Sequence, residues 1–186
     1  MDGSDIVKLL LHGNQLKRTA RTGWAQRGVP AAENVAAHSF GVAFTTLVLA
    51  QLVDEDVDLG RALALALLHD LPEALTSDIP APAWRFLSRD LKRQMEAAAL
   101  QEMVGETPFQ ELFDAWWQDL DENDSAEARL VHDADKIDLF LQAVIYEEQT
   151  GNRQLSQFWE RPFQFHFNTA KRIYEALKAR HDLTEF

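Results

Sequence analysis

Two histidines in this sequence stand out by their neighbours. His38 lies inside an almost wholly apolar run, on one face with Val42, Thr45 and Leu49, and His69 is followed directly by Asp70 at the end of another apolar stretch. Adjacent side chains on a helix diverge by roughly 100°, so His69 and Asp70 reach a common point only near a helix end. Pro72 supplies that end, because proline disfavours helical backbone at the residue before it. Imidazole nitrogen together with carboxylate oxygen suits a borderline divalent cation such as Mn, Fe, Co, Ni or Zn. The same residues admit a plainer arrangement, in which His38 is a hydrogen-bonded core histidine and His69-Asp70 caps a helix. A third group is His132-Asp133-Ala134-Asp135-Lys136-Ile137-Asp138. Buried carboxylates are costly unless a cation or hydrogen bonds compensate them. Leu130, Ala134, Ile137, Leu141, Val144 and Ile145 mark the apolar face here, and Asp133 and Asp138 lie nearer to it than Asp135. Periodicity therefore does not select Asp135, and the whole group could equally be a solvated shoulder.

The elements that must hold these groups read as helices. From Asn34 to Val53 nearly every position is apolar or small, which predicts a helix buried on most sides. Asp58 is a plausible cap for the next, with the stripe Leu59, Ala62, Leu63, Ala66, Leu67 ending at Pro72. Ser77 to Pro82 forms a turn-rich connector. Further helices are expected over Trp84–Val104, from Pro108 through Trp117, and from Phe165 to Arg180. A long one runs from Ala126 to Gln149, capped by Asp124-Ser125 and closed by Gly151-Asn152. Asp119 to Asp124 reads as a solvated loop. Trp116-Trp117 and the aromatics from Phe158 to Phe167 read as core packing, with some surface left for an interface. Strict alternation of the strand type is scarce. The expectation is an all-α fold of six or seven helices.

Composition narrows the function further. The 186 residues, 46% of them apolar, suffice for one domain, with a motif-bearing core over 16–150 and a helical region over 151–186. With no cysteine, a disulfide scaffold, a thiolate zinc site and a cysteine nucleophile are excluded. The net charge of −12 argues against nucleic acid polymers and anionic membranes as partners. The first residues lack a basic signal-type region, and the apolar stretch Phe40–Val53 is too short to span a bilayer. A cytoplasmic protein is expected. An anionic substrate would need a local basic exception to this field. Lys17, Arg18, Arg21 and Arg27 form the basic stretch nearest His38 in sequence.

His38 in Glu33-Asn-Val-Ala-Ala-His-Ser39, then His69-Asp70, then Asp135-Lys136, resembles the H…HD…D pattern of the HD-domain metal-dependent phosphohydrolases. Arg21-Thr-Gly-Trp24 and His69-Asp-Leu-Pro-Glu73-Ala-Leu-Thr-Ser-Asp78-Ile-Pro80 narrow the resemblance to the YfbR-type 5′-deoxynucleotidase branch, over Leu16 to Glu148. The resemblance implies a helical bundle with His38, His69, Asp70 and Asp135 as ligands of one divalent metal ion (Mn, Co, Ni, Fe, Zn or Mg). It selects Asp135 over Asp133. It implies Glu73 as general base beside Asp70, and Arg21 and Trp24 in the segment that holds the substrate phosphate, with Arg18 or Arg27 as substitutes. Asp78 would contact the sugar hydroxyl region, although a plain turn residue reads equally well there. No histidine lies between His69 and His132, which argues against a second metal. The implied activity removes phosphate from (deoxy)nucleoside 5′-monophosphates by a metal-activated water, in a protein that pairs as a homodimer. Alternatives on the same scaffold are hydrolysis of a nucleotide pyrophosphate bond or a non-nucleotide phosphomonoester, or a catalytically silent nucleotide-binding module.

Overall fold

The computed structural model describes residues 3–105, 107–160 and 162–184. Among them are nine α-helices and no strand: α1 (Gly3–Gln15), α2 (Thr22–Ala25), α3 (Val35–Leu49), α4 (Leu59–Leu68), α5 (Glu73–Thr76), α6 (Arg89–Val104), α7 (Gln110–Glu122), α8 (Ala126–Thr150) and α9 (Asn168–Thr184). Two of these, α2 and α5, are single turns, so the long helices match the expected bundle. None of the described helices is long and apolar enough to cross a membrane.

Local chemistry sets the boundaries. Asn34 caps α3 by accepting from Ala37 N, Asp58 caps α4 by accepting from Arg61 N, and Ser125 caps α8 by accepting from Ala128 N. Gly151, with φ 64°, closes α8 in the left-handed conformation. Ahead of Pro72, α4 stops at Leu68 and leaves His69 at its C-terminal cap, and α5 begins just after the proline. Instead of one helix from Trp84, a 3₁₀ segment spans Ala81–Arg85 and α6 starts afresh where Ser88 accepts from Leu91 N. α7 continues past Trp117 to Glu122, because Asp119 is drawn inward to pair with Arg61 and to accept from Ser125. The acidic run from Asp119 is therefore helical in its first half. The amino-terminal helix α1, absent from the expected set, buries none of its residues fully and packs against the first apolar cluster through Leu9.

α3 lies against α8 and α4, and α8 also packs on α4 and α9. One apolar cluster joins Val42 and Leu49 of α3 to Leu65 and Leu68 of α4, Leu100 and Val104 of α6, and Leu130, Val131 and Ile137 of α8. A second joins Trp24, Phe140, Val144, Leu155 and Trp159. The aromatic expectation holds here, since Trp159 and Phe167 are buried and Trp116 and Trp117 pack against the first cluster. The expectation for α3 does not: Phe40 is 72% and Phe44 57% exposed, with their rings stacked on the outer side of the helix.

Candidate metal centre

His38 enters from α3, His69 and Asp70 from the end of α4, and Asp135 from the middle of α8. His38 is completely buried. Its Nε2 lies 3.2 Å from Asp135 Oδ1 and 3.7 Å from Asp70 Oδ2, and His69 Nε2 lies 3.2 Å from the same Asp70 oxygen. One ligand atom each from His38, His69 and Asp135 falls within 4.8 Å of the others, a spacing at which the three could hold a metal ion. The four residues expected as ligands therefore converge, and the helix end at Pro72 is what turns His69 and Asp70 toward one point.

The outward nitrogens are oriented by the inner ones. His69 Nδ1 is 2.7 Å from the Ala66 carbonyl, which can only accept, so Nδ1 carries the proton and Nε2 offers its lone pair. His38 Nδ1 is 2.8 Å from Asp138 Oδ2 in the same manner. This carboxylate–imidazole pairing fixes ring orientation and raises ligand basicity. Nothing in the sequence distinguished Asp138 for this task beyond its place near the apolar face. Packing around it is tight: a Cβ on Gly41, one turn after His38, would collide with Asp138 Oδ1. His38 Nε2, His69 Nε2, Asp70 Oδ2 and Glu73 Oε2 are all buried without a hydrogen-bond partner among the described residues. Buried polar atoms are rarely left so, and three of them, His38 Nε2, His69 Nε2 and Asp70 Oδ2, lie together with the donor chemistry that a divalent cation satisfies.

Electrostatics agree with that reading. Burial disfavours a charge on His38, but the carboxylates of Asp135 and Asp138 beside its two nitrogens outweigh it and push the imidazole up to about 9. Burial would raise Asp70, yet His69, His38 and Arg21 hold it well below the usual carboxylate range. Asp135 is also held low against burial, by Lys136 and then His38. Glu73 behaves oppositely: burial, then Asp70 and Asp78, push it up to about 9, with Arg21 and Lys92 pulling the other way. Neighbouring carboxylates of such divergent affinity for protons are typical of acid–base sites.

Asp133 has a different task. It is fully buried and accepts from the backbone N–H groups of His166 and Phe167 and from His166 Nδ1. Its place on the apolar side of α8 reflects this tie to the segment before α9, and it takes no part in the cluster.

Of the four basic residues in the 17–27 stretch, Arg21 reaches the cluster, with Nη1 3.6 Å from Asp70 Oδ2. Burial opposes its charge, but Asp70, Asp135, Asp78 and Glu73 raise its pKa. The segment is placed by an isolated bridge between Ala20 and Asn34 and by Thr22 N donating to Asp78 Oδ2 at 2.7 Å. Trp24 is only 1% exposed and donates its indole N–H to Glu33. Its ring is buried in the core beneath the Arg21 segment, which it anchors, and so it is not an open substrate surface. Arg18 is exposed and bonded to Gln15, Lys17 is exposed, and Arg27 lies over the Phe158 ring. The local basic exception is therefore Arg21 on one side and, on the other, a group that the sequence did not connect to the site. His69, Asp70 and Asp135 form one wall of a cleft of about 660 Å³, whose other lining includes Arg89, Lys92 and Arg93 of α6 and Lys136 of α8. That volume is in the range of small-molecule sites.

The model of the HD domain matches residues 13–177. This chain belongs to the HD-domain family. It is 35% identical over 145 residues to the 5′-deoxynucleotidase HDDC2 of Homo sapiens, covering 77% of this chain and 69% of that protein. Among solved structures, a protein of Pyrococcus horikoshii superposes with a TM-score of 0.77 at 38% identity, over 95% of this chain and 99% of the other. A conserved hypothetical protein of Pyrococcus furiosus gives a TM-score of 0.79 at 34% identity, over 93% and 99%. The HD-domain chain is thus all-α as expected, with its histidine–carboxylate cluster at the meeting point of α3, α4 and α8.

Proposed function

We propose that this HD-domain chain is a metal-dependent phosphohydrolase that removes the phosphate of deoxynucleoside 5′-monophosphates. The observation that carries the reading is the convergence of unpartnered His38 Nε2, His69 Nε2 and Asp70 Oδ2 beside Asp135, with Glu73 and Arg21 at their edge. His38, His69, Asp70 and Asp135 would hold one divalent ion. Such an ion lowers the pKa of a bound water toward neutrality and offsets charge on a phosphoryl oxygen. Glu73, buried next to Asp70, is the group suited to take a proton from the attacking water once a bound cation offsets the burial and the Asp70 charge that keep its own proton on. Arg21 offers a planar pair of donors to the phosphate. Asp78, tied to Thr22 at the same edge, is the carboxylate expected on the sugar side. The relatives named 5′-deoxynucleotidase support the choice of substrate. A nucleotide substrate in turn supports a cytoplasmic site of action.

The test is a phosphate-release screen over ribo- and deoxynucleoside monophosphates and diphosphates with Mn, Co or Mg, repeated with chelator. Release from the deoxynucleotides that chelation abolishes is expected; release from diphosphates alone, or none from any nucleotide, would sink the reading. Pairing of two copies belongs to the same proposal. The outer side of α3, with Phe40, Phe44, Leu47 and Val48 exposed, is apolar surface suited to it. A Phe44→Arg variant sedimenting as a monomer while the parent sediments as a dimer is the expected outcome.

A further inference from the structure

The cleft beside the histidine–carboxylate cluster has a second wall of mixed charge, where Arg89, Lys92, Arg93 and Lys136 stand among Asp90, Glu96 and Asp121, and one cation on it differs from the rest. Arg93 is paired with Asp121 and Lys136 with Asp135 at 2.6 Å. Arg89 is exposed at the start of α6. Lys92 is half-buried, with Nζ held 3.0 Å from Glu96 Oε1 one turn later on the same helix. An i,i+4 pair of this kind often serves helix stability alone. Here the pair faces inward, with both residues lining the cleft together with His69, Asp70 and Asp135. α6 packs on α5, the single turn that begins with Glu73. Arg21, in contrast, approaches from the segment ahead of α3.

We propose that Lys92 is a second phosphate-binding residue, gripping the substrate's phosphoryl oxygens from the α6 wall while Arg21 holds them from the other side. Glu96 is its positioning residue, keeping the flexible ammonium extended along the cleft. Charge supports this geometry. Burial works against the ammonium, yet Glu96 and then Asp70 and Glu73 raise its pKa, so it stands near the cluster and stays charged. Arg21 and Lys92 are the two cations that act on Glu73. In a chain of net charge −12, a phosphate dianion entering beside several carboxylates needs more than one fixed cation. Paired cations on a transferring phosphoryl group are a common electrostatic device.

The proposal rests on the phosphohydrolase reading for its substrate, but a binding measurement tests it separately. Inorganic phosphate is titrated into Mn-loaded protein by calorimetry, for the parent, Lys92→Ala, Lys92→Arg and Glu96→Gln, with metal content and thermal midpoint measured on each. Losing one charge-assisted contact should weaken phosphate about tenfold in Lys92→Ala, with metal content unchanged. Lys92→Arg should recover most of the affinity, and Glu96→Gln should weaken it by a smaller factor. A helix-stabilising pair alone would shift the midpoint and leave phosphate affinity as it was. Phosphate affinity within twofold of the parent in Lys92→Ala, or no phosphate binding by the loaded parent, overturns the proposal. Weakened phosphate binding in a protein that hydrolyses no nucleotide would uphold Lys92 and remove the nucleotidase reading instead.

Discussion

Two sets of buried imidazole and carboxylate groups lie along α8, and they are wired in opposite ways. Near its C-terminal end, Glu147 accepts from Trp159 Nε1 at 3.1 Å and lies 2.9 Å from His181 Nδ1, with the His181 ring stacked on Trp159. Asp133 likewise has donors on both oxygens. Every carboxylate oxygen in these places is satisfied, and their effect is to tie α9 and the segment before it to α8. In the middle of the helix, the His38 and His69 rings are anchored through Nδ1 and leave Nε2 without a partner. The residue types are the same. What separates structure from chemistry is whether the second atom of each group has been given something to bind.

That contrast can be broken by mutation, and the largest effect falls on rate. Glu73→Gln keeps the size of the side chain and removes its ability to take a proton. We expect kcat to fall about 10²–10⁴-fold with metal content retained, measured by phosphate release and metal analysis on the same sample. An unchanged rate would remove Glu73 as base. Asp133→Asn and Asp135→Asn should split cleanly. Loss of the Asp133 carboxylate weakens several buried hydrogen bonds and should cost about 3 kcal/mol in urea unfolding, with metal binding preserved in the folded fraction. Asp135→Asn should leave stability near or above that of the metal-free parent and lose metal. The reverse pattern would mean that the metal-facing carboxylate is Asp133.

A smaller change is expected from Asp138→Asn, which touches His38 only from behind. Such partners typically alter metal affinity about 10–100-fold, read by chelator competition. A pH dependence reads the same groups. His38 is raised to about 9 from 6.5 and Glu73 to about 9 from 4.5 in the folded protein without metal. Both groups hold protons more tightly when folded, so their contribution is full below the lower values and disappears as pH rises through about 9. Unfolding midpoints in chelator should therefore fall from pH 6.5 toward 9. With saturating Mg, the ion replaces the His38 proton, so uptake releases protons and the stabilisation by metal grows over the same window. A parallel decline in both series would argue that His38 does not face the ion.

Much of the centre was legible because the chain announces it locally. His38 among apolar residues, His69-Asp70 before Pro72, and the Ser125 and Gly151 ends of α8 each depend on near neighbours and lie on the helices and ends that spacing predicts, while the choice of these groups as ligands, Asp135 above all, came from the family resemblance. What could not be read depends on partners far along the chain. Asp133 points inward because backbone N–H groups 33 residues later need an acceptor, so a helical wheel sees its direction but not its purpose. Asp119 is helical and buried because Arg61 and Ser125 draw it in. Trp24 is a core anchor through Glu33, and Lys92 joins the cleft only because α6 packs beside α5. The outer face of α3 is the converse case, where apolar composition alone overstated burial.

Gly41 carries a consequence for anyone seeking to stabilise this protein. An interior helical glycine is an obvious target, since alanine there gains about 1 kcal/mol in helix propensity. At this position the added methyl would be driven into the carboxylate behind His38, so Asp138 or the helix would have to move. A deep mutational scan read on activity should therefore show Gly41 nearly as intolerant as the ligands, although it never meets metal or substrate.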